Sequence, residues 1–138
     1  TDNVFKSFEF RKRQKSKNHD DVGDYDVLFI DVDKKLVWNI ECKFIHKVAN
    51  ISEVANQQKG FFEQGTYHTK FQRRINYLEN HMSDLFDCLN LNYSNDYKIK
   101  NYMVTNKLFE AQNLNIEFDI ITYHELEQLI KNPDMIVQ

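Results

Sequence analysis

Residues 23–44 read GDYDVLFIDVDKKLVWNIECKF. The run is two extended segments around a polar turn at residues 31–35, Asp31-Val32-Asp33-Lys34-Lys35, and predicts a β-hairpin. In a strand, residues i and i+2 share a face. Asp24 and Asp26 therefore share one face of the first strand, and Glu41 and Lys43 share one face of the second. The opposite face of the second strand is Leu36, Trp38, Ile40, Cys42 and Phe44, an apolar comb that demands a core. This places the Cys42 thiol toward that core, where it is not a nucleophile. Asp31 and Asp33 read as turn residues.

Acids on a strand pair with a buried back need compensation, because taking unpaired carboxylates out of water costs several kcal/mol. A hard divalent cation offsets that cost, since carboxylate and carbonyl oxygens suit Mg²⁺. Lys43, two residues past Glu41, can hold a water or a phosphate oxygen on the same side. Such parts serve metal-assisted phosphodiester hydrolysis.

Asp26, fourteen residues, then Glu41-Cys42-Lys43 resembles the PD-(D/E)XK nuclease superfamily, in particular its restriction-endonuclease-like and nuclease-related members. The resemblance implies Asp26 and Glu41 as catalytic metal ligands with the Cys42 backbone carbonyl, Lys43 as catalytic lysine, and Mg²⁺ or Mn²⁺ as cofactor. Tyr25 stands where the family pattern has a dispensable proline. A bare E-x-K triplet carries little; one that closes an apolar strand paired with an Asp-bearing strand carries more. Asp24 and Glu9 are supporting candidates. The following helix, where the family often places a phosphate-reaching residue, carries His68, Lys70, Gln72, Arg73, Arg74 and His81; of these His68, Gln72 and Arg73, which fall close to one helical face, are the candidates. Gln72 and Tyr77 are five apart, so the Q-x-x-x-Y signature, which needs four, is absent. For each of these residues the plain alternative is a solvated surface side chain.

Outside the hairpin, residues 4–11 alternate loosely, with Val4, Lys6, Phe8 and Phe10 on one side, and predict a strand. Residues 14–21 are a polar loop. A short helix is expected over 51–59, with Ser52 as its cap. A long amphipathic helix is expected over 63–89, with Phe71, Ile75, Leu78, Met82, Leu85, Phe86 and Leu89 as its stripe. A strand at 99–105, a short helix or turn at 107–113, a strand at 116–122 and a helix at 123–130 follow. In that last helix Leu126, Leu129 and Ile130 face inward, and Pro133 stops it. The order βββ-α-β-α-β-α implies an α/β (α+β mixed-sheet) domain with a restriction-endonuclease-like core and helices flanking the sheet. The helix that opens the family core has no room ahead of Val4. It would have been trimmed or would belong to an upstream domain.

The chain has 138 residues, 41% hydrophobic and 14% aromatic, which suits one globular domain spanning 1–138. Thr1 in place of Met suggests a fragment or a processed chain. Cys42 and Cys88 lie far apart without C-x-x-C spacing, which argues against a disulfide framework or zinc site and fits a reducing, cytoplasmic setting. No apolar run is long enough to span a membrane. The net charge of −3 is not that of a basic nucleic-acid binder. A local basic run, Lys6, Arg11, Lys12, Arg13, Lys15 and Lys17 against Glu9, is the candidate phosphate-contacting segment; a solvated loop is the plain alternative. Most of the aromatics are explained by core periodicity rather than base stacking.

The expectation is a metal-dependent endonuclease acting on DNA, with RNA as the alternative substrate and a 5′-phosphate product by family analogy. A homodimer would serve double-strand cutting. Two other readings stand beside it: a nuclease-fold binding or assembly module without catalysis, and a plain α/β interaction domain whose charges are structural ion pairs.

Overall fold

The hairpin forms as the alternation dictates. The computed structural model describes residues 3–43, 67–106 and 118–134. Strand β2 (Tyr25–Asp31) pairs antiparallel with β3 (Leu36–Lys43), in register from Val27↔Ile40 to Asp31↔Leu36. The turn between them is closed by Asp31, whose Oδ1 accepts the Lys34 N–H at 3.0 Å. Lys35 completes it in the left-handed region at φ 54°.

Strand β1 (Val4–Phe8) pairs antiparallel with β2. It is shorter than the 4–11 expected, because the chain turns into a one-turn helix α1 (Phe10–Arg13). Ser7 stands at φ 52°, a conformation that breaks a strand's two-residue alternation. Phe5 and Phe8 consequently both meet the same apolar cluster, where strict alternation would have parted them.

Helices α2 (Tyr67–Asn80) and α3 (Met82–Cys88) replace the single helix expected to Leu89. His81 lies between them with non-helical backbone at φ −131° and ψ 28°. The apolar stripe survives the interruption: Phe71, Ile75 and Leu78 are buried on α2, and Met82, Leu85 and Phe86 on α3. Strands β4 (Lys98–Thr105) and β5 (Asp119–Thr122) and helix α4 (Tyr123–Lys131) complete the described elements. The helices expected at 51–59 and 107–113, the start of the long helix at 63–66, residues 116–117 and Phe44 lie outside the described residues.

The five strands form one mixed sheet in the order β1-β2-β3-β4-β5. The first three are antiparallel neighbours; β3–β4 and β4–β5 are parallel. Helices α2 and α3 bury one face around Leu28, Ile30, Val37 and Met103. Helix α4 buries the other around Trp38, Ile40, Tyr102, Val104 and Ile121. Within α4, Leu126 and Leu129 are buried as expected, whereas Ile130 is 40% exposed. Among the described residues no helix is long and apolar enough to cross a membrane.

Candidate functional site

The site is built where β2 and β3 part. Their ladder ends at Val27↔Ile40, and the Cys42 N–H beyond it donates to Asp26 Oδ2 at 2.9 Å. A side chain thus replaces the backbone acceptor and holds the Asp26 carboxylate at the end of the sheet. Glu41 is next to Cys42 on β3, on the side covered by α2. It is 4% exposed, an unusual position for an acid.

Three charges surround Glu41. Its Oε2 lies 2.9 Å from Arg74 Nη2, and its Oε1 lies 3.6 Å from Lys43 Nζ. The nearby Asp26 charge opposes ionisation. Burial is the largest influence, and with Asp26 it outweighs Arg74 and Lys43, so the Glu41 carboxyl is pushed above its ordinary range. Asp26 and Glu41 are therefore close enough to feel each other.

Arg74 is the residue that sequence reasoning passed over in favour of its neighbour. Arg73 is exposed, whereas Arg74, one position on, turns under the sheet between Phe71 and Ile75. Its backbone carbonyl accepts the Tyr25 hydroxyl at 2.7 Å. Gly23, at φ 84°, brings its Cα close to the Arg74 guanidinium: a Cβ there would lie 3.5 Å from Nη1. The Arg74 Nε is buried without a hydrogen-bond partner. The helical stripe was the available signal, since positions 71, 75 and 78 face the core and position 74 adjoins them.

Lys43 Nζ sits 4.0 Å from the Tyr67 ring centroid, a cation–π contact. His68 packs its ring against Phe118 at 5.6 Å, and Gln72 Nε2 donates to Asn76 Oδ1 at 3.1 Å. Glu9 is buried beside Lys12 at 3.1 Å and Arg11 at 3.6 Å. Asp24 is exposed and its charge acts on Lys12, so Asp24 and Glu9 share the Lys12 neighbourhood. Cys42 lies on the side of Ile40 as expected but is not buried in the core. It is exposed and borders an apolar cleft of ≈ 450 Å³ with Val4, Val27, Phe29, Ile40 and Ile130. Burial and the Asp26 charge push this thiol up, which suppresses the reactive thiolate.

The basic run is exposed from Lys6 on β1 through α1 and the loop after it. Arg11 also reaches Asp21 at 3.3 Å, Lys17 pairs with Asp84, and Arg13 lies over the Phe8 ring at 5.6 Å. Lys15 is exposed.

At the sheet end the Asp26 carboxylate is tied to the Cys42 N–H, and the Glu41 carboxylate lies between Arg74 and, at the longer distance of 3.6 Å, Lys43. No protein-family model matches this chain, and neither does any curated protein or solved structure.

Proposed function

We propose that this chain is a metal-dependent phosphodiesterase of PD-(D/E)XK type, with DNA as its expected substrate. The observation that carries the reading is the convergence of Asp26, Glu41 and Lys43 at the end of one strand pair, backed by Arg74. The topology supports it: an antiparallel meander of three strands, then a parallel fourth strand that follows helices α2 and α3 in the chain.

Asp26, Glu41 and the Cys42 carbonyl would hold Mg²⁺ or Mn²⁺. Once bound, such an ion polarises the scissile phosphate and lowers the pKa of its water. The chain's own groups do the rest. Lys43 holds the attacking water or a phosphate oxygen, with the Tyr67 ring limiting its reach. Arg74 fixes the Glu41 carboxylate, and its unpartnered Nε–H is a donor that a water or anionic oxygen can satisfy. Catalysis is then charge stabilisation in a partly dry site.

Nicking of supercoiled plasmid with Mg²⁺ or Mn²⁺ tests this. Lys43→Ala and Asp26→Asn should each lower the rate about 100-fold while circular dichroism stays native. Equal cleavage by both variants rejects the reading.

A second reading has its own support. Glu41 already has two cationic partners, so the charges could be structural ion pairs of a module without catalysis. A melting temperature unmoved by millimolar Mg²⁺ or Mn²⁺ favours that reading, because an ion that binds the folded state must raise it.

A further inference from the structure

We infer that His19, His81 and Asp84 form a second metal site, suited to a borderline divalent ion such as Zn²⁺. It shares no residue with the Asp26–Glu41 pair and does not rest on the nuclease reading. One ligand atom from each residue lies within 4.8 Å of the others. Zinc holds such atoms at about 2.0–2.2 Å, so a shift of about an ångström in the side chains closes the shell. Two imidazoles and one carboxylate select Zn²⁺ and its transition-metal neighbours over Mg²⁺. Three protein ligands leave a fourth position for water.

The hydrogen bonds set both rings in ligating form. His81 Nδ1 lies 2.7 Å from the Tyr77 carbonyl. A carbonyl only accepts, so Nδ1 carries the proton and Nε2 presents its lone pair. His19 Nε2 lies 2.6 Å from Gln14 Oε1, which by the same logic leaves Nδ1 as the free base. Ligating histidines commonly use this arrangement, one nitrogen tied to an oxygen and the other on the metal. His19 Nδ1 meets the Tyr77 hydroxyl at 2.6 Å. That hydroxyl also accepts the Asp20 N–H at 3.2 Å; an ion on His19 Nδ1 takes the place of the hydroxyl, so binding requires the Tyr77 side chain to shift and give up its bond to His19.

Asp84 already attracts a cation. The Lys17 ammonium pairs with its Oδ1. The Lys17 side chain is 52% exposed and can leave for solvent. His81 and Asp84 are three apart at the start of α3, so they project from one side of the elbow, and His19 comes from the loop ahead of β2. A bound ion would therefore tie that loop to the α2–α3 elbow.

The test is titration of the chelator-stripped chain with Zn²⁺ by calorimetry and with Co²⁺ by visible absorption. One equivalent of Co²⁺ should give the intense absorption of the tetrahedral ion. His81→Gln and Asp84→Asn should each weaken binding more than about tenfold, with native circular dichroism. Lys17→Met should tighten it by removing the competing ammonium. Asp26→Asn with Glu41→Gln should leave it unchanged, which separates this site from the nuclease reading. Affinity unaltered by both His81→Gln and Asp84→Asn, or weakened by Lys17→Met, overturns the proposal. So does failure to take up micromolar Zn²⁺.

Discussion

At Glu41 two opposing effects can be measured against each other. The Glu41 and Arg74 side chains are 5% and 11% exposed, so neither can fall back on water. Arg74→Met leaves a buried carboxylate short of its closest cation and should cost about 3–5 kcal/mol. Adding Glu41→Gln should recover much of that loss, because the orphaned charge is then gone. Denaturant titration of both single variants and the double variant closes the cycle; strictly additive losses would show that the pair is not coupled. The pH dependence follows from the direction of the Glu41 shift. Its folded pKa lies above the ordinary 4.5, so the folded chain keeps a proton that the unfolded chain has lost. The associated stability is fully present below that value and is lost as pH rises through the folded pKa. Glu41→Gln lacks this loss, so the stability difference should move in favour of the variant from about pH 4.5 upward. Movement in favour of the native chain would mean that Arg74 outweighs burial.

Elements differ in how their residues announce them. The β2–β3 hairpin was legible because two largely apolar, β-prone runs, residues 27–30 and 36–40, flank a polar turn. Helix α4 was legible too, and its start is fixed by a reciprocal cap. Thr122 Oγ1 accepts the Glu125 N–H at 3.3 Å, and Glu125 Oε1 accepts the Thr122 N–H at 3.0 Å. Thr122→Ala should therefore lower stability by about 1 kcal/mol. The midpoint of a urea titration should fall with its slope unchanged, and an unmoved midpoint would show that the cap contributes nothing. Other features were hidden. The end of β1 turns on the backbone of Ser7, a residue with no sequence cue for φ 52°. The break at His81 lies inside an apolar stripe that continues through it, so hydrophobic period alone reads one helix. At the site, Asp26, Glu41 and Lys43 could be grouped by strand period. Choosing Arg74 over Arg73 required the rotation of α2 on the sheet, which tertiary packing sets.

Over the whole molecule, charge decides how nucleic acid could be held. A net charge of −3 gives no long-range attraction to a polyanion, so contact depends on local groups. The six basic residues from Lys6 to Lys17 are the densest such segment. Three of them are already engaged by carboxylates: Arg11 with Glu9 and Asp21, Lys12 with Glu9, and Lys17 with Asp84. Duplex binding that used all six would give a slope of log K against log salt of about −5, from about 0.9 per phosphate neutralised. Binding that leaves the ion pairs intact and uses Lys6, Arg13 and Lys15 should give about −3. Fluorescence polarisation of a labelled duplex across a salt series, in a buffer without divalent ions to prevent cleavage, measures the slope directly. A value near −3 that falls by about one unit in Lys15→Ala would assign the contact to this segment. A slope indifferent to Lys15 and Arg13 would move the contact elsewhere, and a slope near zero would remove the phosphate-binding role from the segment altogether.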